Sequence, residues 1–263
     1  MQRKELGKTG IDIPEIGLGT WQYKDGEAPL RLGISLGAAF IDTAEMYGTE
    51  DIVGKSIAGK RDQVFVATKV SPHHLHFDDV IRAANASLKR LNIKTIDLYQ
   101  VHWPNPEIPI KETMRAMETL VKEGKVRYIG VSNFSVEEMK EAQSNLSSQE
   151  IASNQARYSL DDREIESEVL PYCEAEKITV IAYSPLARGR LLSSRGRAAD
   201  LLDKIAGRHG KTRSQVSLNW LLAKDKVVVI PKSDRSEHVR ENCGASDWKL
   251  SKDDIRQIDE AFR

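Results

Sequence analysis

Cysteine is scarce: the chain has two, Cys173 and Cys243, each alone in its segment. Neither has the paired spacing of a zinc site or a redox motif, so the fold rests on no cysteine framework, and a reduced, cytoplasmic setting is expected. Charge of one sign is not in excess, with 39 Lys and Arg against 39 Asp and Glu. That balance removes any global pull toward nucleic acid or an anionic membrane, so phosphate binding has to be local. No apolar run is long enough to span a membrane. The stretch Met1–Gly10 is charged and contains glycine, unlike the apolar region of a signal peptide. Internal repeats, low-complexity tracts and interdomain linkers are also missing, and nothing points to an obligate protein partner. Nor is there a G-x-G-x-x-G turn after the first apolar run, which argues against an open doubly wound dinucleotide sheet.

What remains is an ordinary globular composition, 40% hydrophobic over 263 residues, at a length that suits one barrel of about 250 residues. The segment Lys4–Ile13 reads as a small hairpin around Lys8-Thr9-Gly10. Eight short β-rich runs follow: Ile16–Gly19, Phe40–Asp42, Val64–Lys69, Ile96–Val101, Tyr128–Val131, Ile151–Gln155, Thr179–Tyr183 and Val227–Ile230. Amphipathic stretches lie between them. In one, Val80, Ala84, Leu88 and Leu91 share a helical face and leave Arg82, Lys89 and Arg90 toward water. Ser135 with Glu138 and Thr212 with Gln215 have capping-box spacing, and Gly59 and Gly124 stand where helices should stop. Strands alternating with helices imply parallel strands joined by right-handed crossovers. The expected fold is an α/β single-domain (β/α)8 TIM barrel over residues 1–263, preceded by a short N-terminal β-hairpin.

In a parallel barrel the chemistry sits at the C-terminal ends of the strands. Asp42, Lys69 and His102 end three of the runs and Tyr47 lies in the loop after Asp42, so closure of the barrel brings all four to one mouth. A tyrosine hydroxyl with a pKa near 10 is a poor donor at neutral pH, but a nearby ammonium favours the phenolate. Lys69 is placed to supply that charge, Asp42 to hold Lys69, and His102 to orient a carbonyl by a hydrogen bond. The set suits carbonyl reduction. His73, His74 and His76 cluster after Lys69, but without a carboxylate or rigid spacing they read as a solvated loop and no metal site is assigned. Arg188, Arg190, Arg195 and Arg197 read as a phosphate-facing or solvated loop rather than a nucleic-acid surface.

The combination of motifs resembles the aldo-keto reductase superfamily over nearly the whole chain. It runs through Gly17-Leu18-Gly19-Thr20-Trp21, Ile41-Asp42-Thr43-Ala44 with Tyr47-Gly48, Thr68-Lys69, Val101-His102-Trp103-Pro104, Gly130-Val131-Ser132-Asn133-Phe134, Asn154-Gln155, Ala182-Tyr183-Ser184-Pro185-Leu186 and Ile230-Pro231-Lys232-Ser233. The resemblance implies an oxidoreductase in which Tyr47 is the general acid, Lys69 and Asp42 tune it and His102 places a small aldehyde or ketone. It implies an extended dinucleotide held without a Gly-rich turn. Ser132, Asn133 and Gln155 would hold the nicotinamide carboxamide, Tyr183 would stack on the ring, Ser184, Leu186, Arg188 and Gly189 would cover the pyrophosphate, and Thr20 would join that wall. Lys232 and Ser233 match positions used for a 2′-phosphate, so NADP(H) is expected over NAD(H). His238 stands where many members carry an arginine, which weakens that preference, while Asn242 matches an adenine contact and Arg235 offers compensation. Trp21, Trp103 and Phe134 are the expected substrate walls. The helix Ser251–Phe262 is followed by one residue where many relatives continue into a closing loop, which predicts a more open and less selective pocket. Two other functions fit the same scaffold: a cofactor-sensing subunit of a membrane channel, and a lyase or isomerase of phosphorylated sugars.

Overall fold

The alternation of short apolar runs and amphipathic stretches folds as the spacing predicts in the computed structural model, which describes residues 1–262. A hairpin comes first, β1 (Arg3–Glu5) antiparallel to β2 (Asp12–Pro14), with Arg3 opposite Pro14. Gly10 in the turn has φ +71°, a conformation that costs other residues more. The barrel strands are β3 (Leu18–Gly19), β4 (Phe40–Asp42), β5 (Phe65–Val70), β6 (Ile96–Val101), β7 (Val126–Ser132), β8 (Ile151–Arg157), β9 (Thr179–Tyr183) and β10 (Val227–Val229). Each pairs in parallel with its sequence neighbours.

The first and last strands close the ring through parallel bridges, Ile16 with Val229 and Gly19 with Lys232. Gly17 N donates to Val229 O at 2.8 Å and Val229 N to Glu15 O at 2.9 Å. Closure explains why β3 is shorter than the run Ile16–Gly19, since part of that run is engaged by single bridges. It also requires a glycine, because a Cβ on Gly19 would lie 2.7 Å from the Ile230 carbonyl oxygen.

The helices are α1 (Glu27–Ser35), α2 (Glu50–Ile57), α3 (Phe77–Leu91), α4 (Ile110–Lys122), α5 (Val136–Ser144), α6 (Val169–Ala175), α7 (Arg190–Ser193), α8 (Arg197–His209), α9 (Arg213–Leu222), α10 (Ser236–Cys243) and α11 (Lys252–Ala261). Both expected capping boxes form, and Ser251 with Asp254 makes a third. Gly59 and Gly124 adopt positive φ after α2 and α4. On α3, Val80, Ala84 and Leu91 are buried and Leu88 packs against them. Arg90 departs from the expected solvent-facing role. Its Nε donates to Glu50 Oε2 at 2.6 Å, and the same buried carboxylate accepts from Thr68 Oγ1 at 2.6 Å. A carboxylate taken out of water needs a counter-charge, and the helix face alone does not reveal where one is buried.

The interior divides in two. Outside the sheet, strands and helices share one large apolar cluster. Inside the barrel, Phe40, Ala67, Leu98, Ile181 and Val228 meet Leu6 and Ile13 of the hairpin, so the hairpin plugs the barrel from the N-terminal side of its strands. Gly7 N bonds Thr179 Oγ1 at the start of β9, and Lys4 Nζ donates to the carbonyls of Leu222, Lys224 and Val227. With that mouth sealed by apolar side chains, the opposite mouth is where polar residues can gather.

Helix α2, which follows the Tyr47 loop, approaches the end of α3 at Gly54, where a Cβ would sit 2.4 Å from the Leu91 carbonyl oxygen. Gly54→Ala is expected to lower stability by about 1–3 kcal/mol in urea unfolding. An unchanged midpoint would contradict this close approach.

Candidate active site

Three parallel strands deliver three polar side chains to the open mouth. Asp42 ends β4, Lys69 lies one residue before the end of β5 and His102 follows β6. Tyr47 comes from a single 3₁₀ turn, Glu45–Tyr47, ended by Gly48 in the left-handed region. The four meet as the barrel reading expects. Lys69 Nζ lies 2.6 Å from Asp42 Oδ1, donates to Thr43 O at 2.9 Å and reaches Tyr47 Oη at 3.5 Å. Tyr47 Oη is 3.3 Å from His102 Nε2, with the two rings edge to face. Asp42 Oδ2 accepts from Gln155 Nε2 at 2.8 Å and from Gln100 Nε2 at 3.3 Å. Lys69 is 0% exposed and Asp42 2%, so neither charge is shared with bulk water.

Burial alone would lower the Lys69 pKa, but Asp42 beside it outweighs that effect and holds it above its ordinary value. For Tyr47 the balance runs the other way. Burial raises the phenol pKa, Lys69 opposes it, Asp42 adds to the rise, and the net direction is up. The expected influence of the amine is therefore present but smaller than the cost of burying a phenolate. Burial first, and Lys69 second, pull His102 down to about 3. At neutral pH the mouth thus holds a protonated phenol, an ammonium and a neutral imidazole. His102 Nδ1 is buried and has no hydrogen-bond partner among the described residues.

Tyr47 and His102 open onto a cavity of about 680 Å³, within the range of small-ligand sites. Ser132, Asn133, Gln155 and Tyr183 form one wall. They are already linked: Ser132 Oγ donates to Gln155 O, Asn133 Nδ2 to His102 O at 3.1 Å, and Tyr183 Oη to Asn133 Oδ1 at 3.0 Å. Thr20 is on the wall beside Asp42, its Oγ1 donating to Asp42 O at 3.0 Å. Ser184, Leu186, Arg188 and Gly189 line the far side, with Ser184, Arg188 and Gly189 at positive φ. Lys232, His238 and Asn242 complete that end, Lys232 being paired with Asp234.

Two expectations need adjustment. Phe134 is 3% exposed and packs in the core cluster outside the barrel, so it forms no part of the cavity wall. Ser233 is also off the wall, its Oγ bonding the backbone of Arg235 in a local turn. His74 and His76 do not converge: each ring pairs with a different glutamate, His74 with Glu45 and His76 with Glu112. Trp21 and Trp103 do stand at the rim, 40% and 48% exposed, and the Arg188 guanidinium lies 4.7 Å above the Trp21 ring. Residues the sequence reading left out include Met46 and Leu192 on the wall and Gln100 beneath it. Gln100 carried a signal, because a glutamine inside an otherwise apolar buried strand needs a polar partner.

The donor set suits a dinucleotide. Amide side chains and an aromatic ring lie next to the phenol, and two cations, Arg188 and Lys232, stand on the remaining wall where phosphates require charge.

The fold matches those of known proteins. The aldo/keto reductase family model matches residues 15–263, and the chain belongs to that family. It is 38% identical to methylglyoxal reductase YeaE of Escherichia coli strain K12, covering 100% of this chain and 96% of that protein. It is 35% identical to a glyoxal reductase of Bacillus subtilis strain 168, covering 95% and 89%. Among solved structures, the thermostable aldo-keto reductase Tm1743 in complex with the inhibitor epalrestat superposes with a TM-score of 0.93 at 42% identity, over 99% of this chain and 100% of that one. An aldo/keto reductase from Klebsiella pneumoniae in complex with NADP and acetate gives 0.91 at 37% identity, over 100% and 96%.

The neutral state of His102 is open to measurement. Its ring resonances in NMR should show no titration between about pH 5 and 8, since its pKa is drawn down to about 3. A midpoint near the ordinary histidine value would contradict the burial described for this ring.

Proposed function

We propose that this protein is an NADP(H)-dependent carbonyl reductase, a one-domain barrel in which Tyr47 donates the proton to the carbonyl oxygen. The observation that carries the reading is the Tyr47 hydroxyl set between the Lys69 ammonium and the His102 imidazole at the edge of the cavity. When bound, the reduced nicotinamide supplies a hydride to the carbonyl carbon. The protein's own work is on the oxygen. A neutral His102 can donate a hydrogen bond to it but is no acid at neutral pH, which leaves the phenol as the proton donor. As negative charge develops on Tyr47, the fixed Lys69 ammonium stabilises it, and Asp42 keeps Lys69 from moving toward the charge.

Ser132, Asn133 and Gln155 are assigned to the carboxamide and Tyr183 to the ring face. Thr20, Ser184, Leu186, Arg188 and Gly189 are assigned to the pyrophosphate region, and Lys232, His238 and Asn242 to the adenosine end. Trp21 and Trp103 are assigned to the substrate. The preference for NADP(H) is supported by Lys232 on the wall and by the NADP in the Klebsiella pneumoniae neighbour. Small 2-oxoaldehydes are the first substrates to test, given relatives named methylglyoxal reductase and glyoxal reductase. Two buried free thiols, Cys173 and Cys243, suit the cytoplasmic placement proposed here, and no described helix is long and apolar enough to cross a membrane.

Tyr47→Phe is expected to lower kcat for methylglyoxal by about 10²–10⁴-fold while leaving NADPH binding intact. A variant with wild-type turnover would remove Tyr47 from the mechanism. Because an acid must be protonated to act and burial raises the Tyr47 pKa, reduction should persist through neutral pH. It should fade only as pH climbs past the ordinary phenol value of about 10. Lys232→Ala should raise the KM for NADPH about tenfold and leave that for NADH nearly unchanged. Equal losses with both cofactors would contradict a 2′-phosphate contact.

A further inference from the structure

Tyr47 has an unusual support for a group whose position must be tightly held. Asp42 and Lys69 lie within strands fixed by parallel pairing on both sides, whereas Tyr47 ends a three-residue turn followed by a left-handed Gly48. Within that turn the Tyr47 amide bonds only the adjacent Ala44 carbonyl, at 3.0 Å. The Tyr47–Lys69 separation of 3.5 Å is already at the outer limit of a hydrogen bond, so a small drift of the turn would break it.

We propose that Glu45 is the positioning residue that sets this separation, by tying the turn that carries Tyr47 to the end of the strand that carries Lys69. Glu45 precedes Tyr47 by two residues, and its Oε1 accepts a hydrogen bond from the backbone N–H of Ser71, two residues after Lys69. One carboxylate therefore spans the two short chain segments whose side chains must meet. The same oxygen takes a second hydrogen bond from His74 Nδ1 at 3.0 Å, in the loop that continues from Ser71. The Glu45 side chain is only 10% exposed, so this bond forms largely out of water, where a charge-assisted hydrogen bond is stronger. The Tyr47–His102 contact cannot replace it, since it joins two side-chain tips, and the Thr43–Thr49 hydroxyl contact that brackets the turn ties it to its own strand rather than to the strand of Lys69. His74, one of the loop histidines, thereby braces Glu45.

The proposal rests on Tyr47 being the proton donor, so the test runs Tyr47→Phe beside it. The full chain is assayed by stopped flow for single-turnover oxidation of NADPH by methylglyoxal, with NADPH affinity read separately from protein fluorescence. Glu45→Ala should slow the single-turnover rate about tenfold to a hundredfold, the cost of a misplaced group, while NADPH affinity and the KM for methylglyoxal stay at wild-type values. Glu45→Gln keeps an oxygen that accepts from Ser71 N–H and should stay close to the wild-type rate. Glu45→Asp keeps the charge but withdraws it by one methylene, and should resemble Glu45→Ala. Should Glu45→Ala not fold, the contrast between Gln and Asp decides the matter. A wild-type rate in Glu45→Ala, or Gln as slow as Ala, or Asp as fast as Gln, overturns the assignment of Glu45. A wild-type rate in Tyr47→Phe overturns the reading of Tyr47 itself, and with it this inference.

Discussion

A lysine ammonium with no exposure to water, held 2.6 Å from an equally buried aspartate, is the constraint around which the open mouth is organised. Removing both charges from solvent is costly, and the attraction between them offsets that cost only where further hydrogen bonds satisfy the remaining lone pairs and protons. The strands supply those bonds. Lys69 also donates to the Thr43 carbonyl, and Asp42 accepts from Gln100 on β6 and Gln155 on β8. Four strands are thereby tied to one ion pair, and the phenol and imidazole above it sit in a field fixed before any ligand arrives.

The two mouths of the barrel divide the tasks. One is stoppered by Leu6 and Ile13, whose burial is nonspecific and needs only shape and apolarity. The other is built from loops, and its backbone is less relaxed. Gln22, Asn133, Ser184 and Arg188, all on the cavity wall, take positive φ without being glycine, as does Ala187 beside them. Such conformations cost about 1–3 kcal/mol each and persist only where the surroundings impose them. Here Asn133 is clamped between His102 O and Tyr183 Oη, and Arg188 lies over the Trp21 ring. Five of the eight non-glycine residues at positive φ among the described residues thus lie at or beside the cavity, in loops carried by the sheet.

Most of the fold was legible in the chain because it depends on local periodicity. Strand positions held to within a few residues, both expected capping boxes formed, and the hairpin turned where Lys8-Thr9-Gly10 predicts. The candidate catalytic group was legible too, since strand ends in a parallel barrel all open on one face. Less legible were roles that depend on which way a side chain turns after the loop is built. Phe134 follows Asn133 directly in a motif that lines the cavity, yet the positive φ of Asn133 accompanies a chain path on which the next side chain enters the core. Arg90 looked solvent-facing on its helix and instead neutralises Glu50 on another.

Composition, spacing and motif order by themselves determined the barrel, its hairpin and the four polar residues at its mouth, because hydrophobic period and strand-end position are written along the chain. Only the tertiary structure decided the balance of pKa effects on Tyr47, the departure of Phe134 and Ser233 from the wall, and the link from Glu45 to Ser71. Those depend on burial and on distances between segments far apart in sequence, and neither exists until the ring has closed.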